Sequence, residues 1–385
     1  MQRYAWEIIT IAMLAATAAG CTNDAIPEPD TQPVIAGLRA AANATCVSLE
    51  DQGTSFCWGA NEFGQLGNGL TSDQLRPSQV LGAPAFSTPF PGDHACASGE
   101  SGLYCWGRNS SGEVGNGTTD PVPAPALVSG GLSFQQVAIG DDFTCGIATS
   151  GVTYCWGAND VGQLGAGAPG NSSVPVAVAG NPEILSIAAG GRTACGVLSS
   201  GGMVCWGNGA DGELGTGEFG MSAAVPTPVA GGLQLFAPAI GANAAGQATV
   251  CASTLDAAYC WGKNSDGEIG DGTTERKNVP TAVLGLPGGV QIVPGGSHTC
   301  ARTLDAAVFC WGKGGELGTG DTQSSTTPVA VKGGIQFAAV YSGRTHSCGR
   351  TEAAPARAFC WGANNRGQLG DGSRSTRLEP TQVTF

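Results

Sequence analysis

Cysteine and histidine carry most of the chemistry this 385-residue chain could offer. Seven cysteines stand in a Cys-Trp-Gly triplet, at Cys57, Cys105, Cys155, Cys205, Cys260, Cys310 and Cys360. Seven more precede them, at Cys46, Cys96, Cys145, Cys195, Cys251, Cys300 and Cys348. Partners stand nine to twelve residues apart, whereas zinc sites draw on closer pairs, typically about two to four residues apart. Turn-forming residues lie between the partners, and short β-branched or aromatic segments such as Val152-Thr153-Tyr154 flank them. Each pair therefore reads as two arms of a β-hairpin. Directly opposed antiparallel residues bring their Cα atoms to about 4.5–5.5 Å, which overlaps the range a disulfide accepts. One cross-strand disulfide per unit is the expectation. The three histidines, His94, His298 and His346, each stand two residues before a first cysteine, a position held elsewhere by Phe143, Thr193 or Ala44. A position that accepts Phe and Ala is no metal shell, and no nucleophile motif accompanies the histidines. Asp141-Asp142 is an acidic pair, while Asp271 and Asp371 share a turn position with Asn68, Asn116, Ala166 and Thr216, so turn chemistry accounts for them. No catalytic, cofactor or metal site is expected, and the chain reads as a non-enzyme.

The elements that must hold these residues recur with them. Successive triplets are 48, 50, 50, 55, 50 and 50 residues apart, a period at which no unit buries its apolar face alone. A Gly-rich turn follows each triplet, from Gly59 to Gly69 in the first unit and shortened by two residues in the sixth, Gly312 to Gly320. Glycines at fixed offsets suit positive φ and close backbone approach. No helix follows, so a phosphate cradle is not expected. Next comes Pro-x-x-Val, from Pro77 and Val80 in the first unit to Pro380 and Val383 in the last. It marks an outer edge strand beginning on Pro. A further strand such as 134–139 leads into the next first cysteine. Four strands per unit make the blade of a β-propeller, so the fold class expected is all-β, a seven-bladed propeller over 34–385. The seven Trp read as packing between blades rather than as sugar-stacking platforms. The first unit has a strand near 38–41 but no preceding Pro-x-x-Val, and only Thr384-Phe385 follows the last one. The C-terminal strand is therefore expected to complete the first blade and close the ring.

Composition places the chain. With 63 Gly, 22 Pro and 12% charged residues it suits short strands and many turns. A net charge of −13 with 17 Lys and Arg offers no basic face for phosphate, so nucleic acid is not an expected partner. After Arg3 an apolar run from Ile8 to Gly20 is too short to span a bilayer and reads as a secretion signal over 1–20. Ala18-Ala19-Gly20-Cys21 resembles a bacterial lipobox, with Ala18 where Leu is usual; cleavage after Ala18 by ordinary signal peptidase is the alternative. Cys21 is the one cysteine outside the pairs, and lipid attachment accounts for it. Residues 21–33 read as a tether. The expected setting is a bacterial cell envelope, with membrane contact only through the N-terminal lipid and the propeller a monomer.

The recurring run Gly-x-x-x-Thr-Cys, hairpin, Trp-Gly-x-Asn-x-x-Gly-Gln-Leu-Gly-x-Gly resembles the regulator of chromosome condensation repeat, whose family forms seven-bladed propellers. The resemblance covers essentially the whole of 34–385, and the cysteine pair is its departure, one that suits an oxidising compartment. The family's chromatin-bound nucleotide exchange factor is nuclear with a basic tail, so exchange activity and histone binding are not expected here. A bacterial β-lactamase inhibitor sharing the propeller is nearer in setting. What the resemblance implies is a non-catalytic protein-interaction scaffold or inhibitor, acting through loops on one face. A carbohydrate-binding or adhesion module is the alternative, ahead of an envelope hydrolase or lyase. Departures from the repeat are where contact with a partner is expected. These are Phe63 in the first turn, Phe219 and Met221 in the fourth unit, and Asn243 in the five-residue insertion within 241–247.

Overall fold

Each unit buries a stripe of alternating residues by folding into an antiparallel meander. In the first, Ile35–Ala41 pairs with Ala44–Leu49, which pairs with Ser55–Gly59, which pairs with Gln74–Gln79. The computed structural model describes residues 32–50, 53–82 and 86–385. The expected signal 1–20, Cys21 and most of the tether 21–33 lie outside the described residues. Pro33–Phe385 form one unit of 27 strands, with no helix among the described residues. Six sheets have four strands and one has three. In that second blade the inner position is taken by an irregular stretch ending at Phe90, which bridges to Cys96. Pro89 and Pro91 flank Phe90 and cannot donate to a ladder, which explains the missing strand.

The inner strands pack side by side around a central channel, and the outer strands form the rim. Every outer strand shifts register opposite the Trp of its own triplet. Pro77 and its counterparts sit in that bulge, inside the strand rather than at its first residue. An edge bulge is where a missing N–H is tolerated.

The closure differs from the expectation. The C-terminal strand Arg377–Gln382 pairs with Ala358–Gly362 of its own unit, and the first blade builds all four of its strands from residues 35–79. The C-terminal strand does not complete the first blade, because each Pro-x-x-Val strand ladders with the triplet before it, not with the hairpin after it. The ring closes without a shared strand: Ile35–Ala41 lies against Phe337–Ser342 and His346–Thr351, with Ile35 N–H donating to Ala356 O and Arg344 N–H to Ala42 O.

All seven expected disulfides are present, each joining directly opposed residues with Cα atoms 4.0–4.1 Å apart. Adjacent residues of a strand point to opposite faces, so each Cys-Trp dipeptide sends its sulfur to one neighbour and its indole to the other. The core is accordingly divided into seven clusters at the seams. Cys145 and Cys155 lie with Trp206 of the next blade, Cys300 and Cys310 with Trp361, and Cys348 and Cys360 with Trp58. The seven Trp of the triplets are all fully buried.

Candidate functional site

The Gly-rich turns and the turns between the inner and first-cysteine strands lie at one end of the ring; Ala60 N–H, for example, donates to Asn43 O between them. The hairpin tips lie at the other end. The turn of the first unit is organised by Asn61, whose Oδ1 accepts from Leu66 N–H while its Nδ2 donates to Leu70 O and Ser72 O. Gln65 Oε1 accepts from Phe63 N–H, and Gln65 O accepts from Trp106 Nε1 of the next blade. Gly67 is essential to this fit. Its φ is +66°, and a Cβ there would meet the Trp106 indole at 2.6 Å.

These turns bring all four candidate contacts to the same end. Phe219 and Met221 are 42% and 51% exposed. Arg276 of the fifth blade lies over the Phe219 ring at 4.6 Å and pairs with Asp211 at 3.1 Å. Gln247 of the insertion donates to Asp211 at 2.8 Å. Asn243 uses its amide within that insertion, accepting from Ala245 and Gln247 N–H and donating to Gln247 Oε1. Phe219 and the insertion are thus linked through Asp211. Phe63 stands apart, half-buried with the Arg108 guanidinium 5.6 Å over its ring.

The channel mouth at this end is braced by charge. Arg344 of the seventh blade reaches Asp141 of the third at 3.3 Å and Asp93 of the second at 3.9 Å. Arg108 pairs with Asp142 at 2.7 Å. Burial pushes Asp141 up to about 6, against the pull of Arg344, and raises Asp93 for the same reason. The Asp141-Asp142 pair is therefore divided between two arginines.

The histidines form relays between blades. His94 Nε2 donates to Thr144 Oγ1 at 2.7 Å, and that hydroxyl donates to Glu113 O. His346 Nε2 does the same to Thr45 Oγ1 at 2.9 Å, which donates to Gln368 O. His298 reaches Ser347 Oγ at 2.7 Å and Glu316 Oε2 at 3.0 Å. Burial drives His94 and His346 down to about 3, with nearby Arg108 and His298 acting in the same direction. Each histidine meets a hydroxyl just before the first cysteine of the following blade. Where the position is Ala44 or Phe143, the residue met is Ala95 or Ala194.

Sequence reading missed the hairpin end. Leu255 and Leu304 stand bare at the tips of the fifth and sixth blades, 84% and 79% exposed. The signal was the shared run Thr-Leu-Asp-Ala-Ala in both units, which read only as a turn.

A closed ring of antiparallel meanders with inner strands around an axis is a β-propeller. The family follows from the turns and triplets. Residues 90–385 match the RCC1-like domain and residues 52–90 the regulator of chromosome condensation (RCC1) repeat, and the chain belongs to the RCC1-like domain family. In fold it is similar to human WBSCR16, with a TM-score of 0.76, 22% identity and coverage of 86% of this chain and 93% of that one. It is also similar to Prp20p from Saccharomyces cerevisiae, with a TM-score of 0.73, 21% identity and coverage of 92% and 88%. The probable E3 ubiquitin-protein ligase HERC4 from Homo sapiens is 28% identical over 131 residues, which are 32% of this chain and 12% of that protein.

Proposed function

We propose that this propeller is an exported, lipid-anchored and non-catalytic scaffold or inhibitor that holds a protein partner against its turn face. The observation that carries the reading is the meeting of two departures from the repeat at one place. The exposed Phe219 of the fourth blade is linked to the insertion of the fifth through Arg276 and Asp211, and Met221 stands exposed two residues on. Exposed aromatic and Met side chains beside a polar rim suit a protein contact. A sugar-binding face would need several exposed rings, and the repeated Trp are all buried. The seven disulfides accord with an oxidising compartment, and Cys21 as a lipid attachment point ties the ring to a membrane surface. The binding of Gsp1p and histones studied with Prp20p, and the ligase activity in the name of HERC4, are not part of this reading, because the first match shares fold and the second a fraction of that chain's length.

The test is crosslinked affinity capture from the native envelope with the anchored chain and with Phe219→Asp/Met221→Asp. A protein recovered by the native chain and lost with the variant supports the reading. The same proteins recovered by both would overturn it. Labelling with palmitate, lost in Cys21→Ser, tests the anchor separately.

A further inference from the structure

The register of the blades lines up one residue from each opposite the first cysteine. In blades seven, one and two these are Tyr341, Arg39 and Phe90, paired with Cys348, Cys46 and Cys96. In blades three to six they are Ala138, Ala188, Ala239 and Val293. All seven line a channel cavity of about 590 Å³. One wall of this tier is an aromatic, a cation and an aromatic, and the other is four small apolar side chains.

The Arg39 guanidinium lies 4.5 Å from the Phe90 centroid and 5.0 Å from that of Tyr341. These ring contacts use the π-face of the guanidinium and not its five N–H donors. None of them has a hydrogen-bond or ion-pair partner among the described residues. The other charged residues of the lining, Asp93, Asp141 and Arg344, pair with one another at the turn-side mouth. Arg39 is therefore a fixed cation without an anion, in a space whose volume falls within the roughly 300–1,000 Å³ of ligand sites. Arg39 is half-buried, and a planar fork of donors matches a carboxylate in two-point contact.

We propose that the channel is a binding site for a small organic monocarboxylate. Its carboxylate would be held by Arg39 between Phe90 and Tyr341, and its apolar body would lie against Ala138, Ala188, Ala239 and Val293. A single negative charge fits a chain of net charge −13, whose field opposes polyanions. Arg344 spans the turn-side mouth and no ion pair among the described residues crosses the other, so entry is from the hairpin end. This site is separate from the proposed protein contact at Phe219.

Isothermal titration of the full chain with benzoate, neutral benzamide and inorganic phosphate tests it. Benzoate is expected to bind at one site, benzamide and phosphate at least about tenfold more weakly, and Arg39→Gln is expected to reduce benzoate affinity by at least about tenfold. No heat from benzoate up to roughly 10 mM would overturn the proposal. So would equal binding of benzoate and benzamide, phosphate as tight as benzoate, or unchanged affinity in Arg39→Gln. Should Arg39→Gln fail to fold, Arg39→Lys keeps the charge without the fork. Weaker benzoate binding then supports the proposal, and native affinity overturns it.

Discussion

The seam between blades seven and one and the seam between blades six and seven use the same parts to different effect. Blades six and seven are joined by chain; blades seven and one meet with no covalent link between them. At the closing seam Trp58 Nε1 donates to Gln368 O at 3.0 Å, and the His346 relay ends on the same carbonyl. Arg366 adds ion pairs to Asp73 at 2.8 Å and Glu62 at 3.2 Å, and Phe385 packs edge-on to Phe56. At the other seam the Gly-rich turn is two residues shorter, and the Trp361 indole N–H has no partner among the described residues. His298 meets Ser347 Oγ through Nε2 as its counterparts meet their hydroxyls, and adds a contact from Nδ1 to Glu316 Oε2. Where the chain itself joins the blades, the Trp361 bond is missing; where only noncovalent contacts close the ring, the Trp58 bond is made.

Acid should have the largest effect, acting at the closing seam through His346 and likewise at the seam between blades two and three through His94. His346 is held neutral, down from 6.5 to about 3, so the folded state binds fewer protons than the unfolded chain below pH 6.5. Its contribution is intact above that value and is lost as pH falls from about 6.5 towards 3, by as much as about 4–5 kcal/mol over the whole window. Urea midpoints measured across this range should fall steeply for the native chain and more gently for His346→Gln. Next in size, Gly370→Ala places a Cβ 2.6 Å from Trp58 Nε1 at a φ of +68°. It should cost about 2–4 kcal/mol, and Gly318→Ala, 2.9 Å from the Trp361 ring, somewhat less. Equal melting temperatures for the two variants would remove the contrast. Trp58→Phe should exceed Trp361→Phe by about 1 kcal/mol, because only the first loses a made hydrogen bond and the second removes an unpaired buried donor. Smallest is Arg366→Ala. Its pairs are partly exposed, so about 0.5–1 kcal/mol is expected at low salt and less at high salt, read from thermal melts.

Much of this frame was legible in the residues. The interval between triplets gave the number of blades, and the hairpin between cysteines placed the disulfides at opposed positions. The identity of the strand that closes the ring was not legible. A Pro-x-x-Val segment lies between two triplets, and its own side chains do not say which one it ladders with; only the backbone pairing of Arg377–Gln382 does. The irregular inner edge of blade two is written in Pro89 and Pro91, whose local effect outweighs the period. The candidate contacts were found as exceptions to the repeat, but their surroundings were hidden. Arg108 over Phe63 and Arg276 over Phe219 come from neighbouring blades, at separations where no local pattern pairs them. The channel tier needed the register as well: Arg39 and Tyr341 each stand seven residues before a cysteine, yet their meeting depends on the ring being closed.

The disulfides also carry an instruction about order. In every blade a cysteine is joined to the next cysteine along the chain, and no bond crosses a seam. A polypeptide whose thiols pair in the order of the chain, each with the next, arrives at the native set without reshuffling. That outcome depends on where counting starts. A free thiol at Cys21 would take Cys46 as its first partner and shift every later pairing by one, whereas a capped or removed Cys21 leaves the count even.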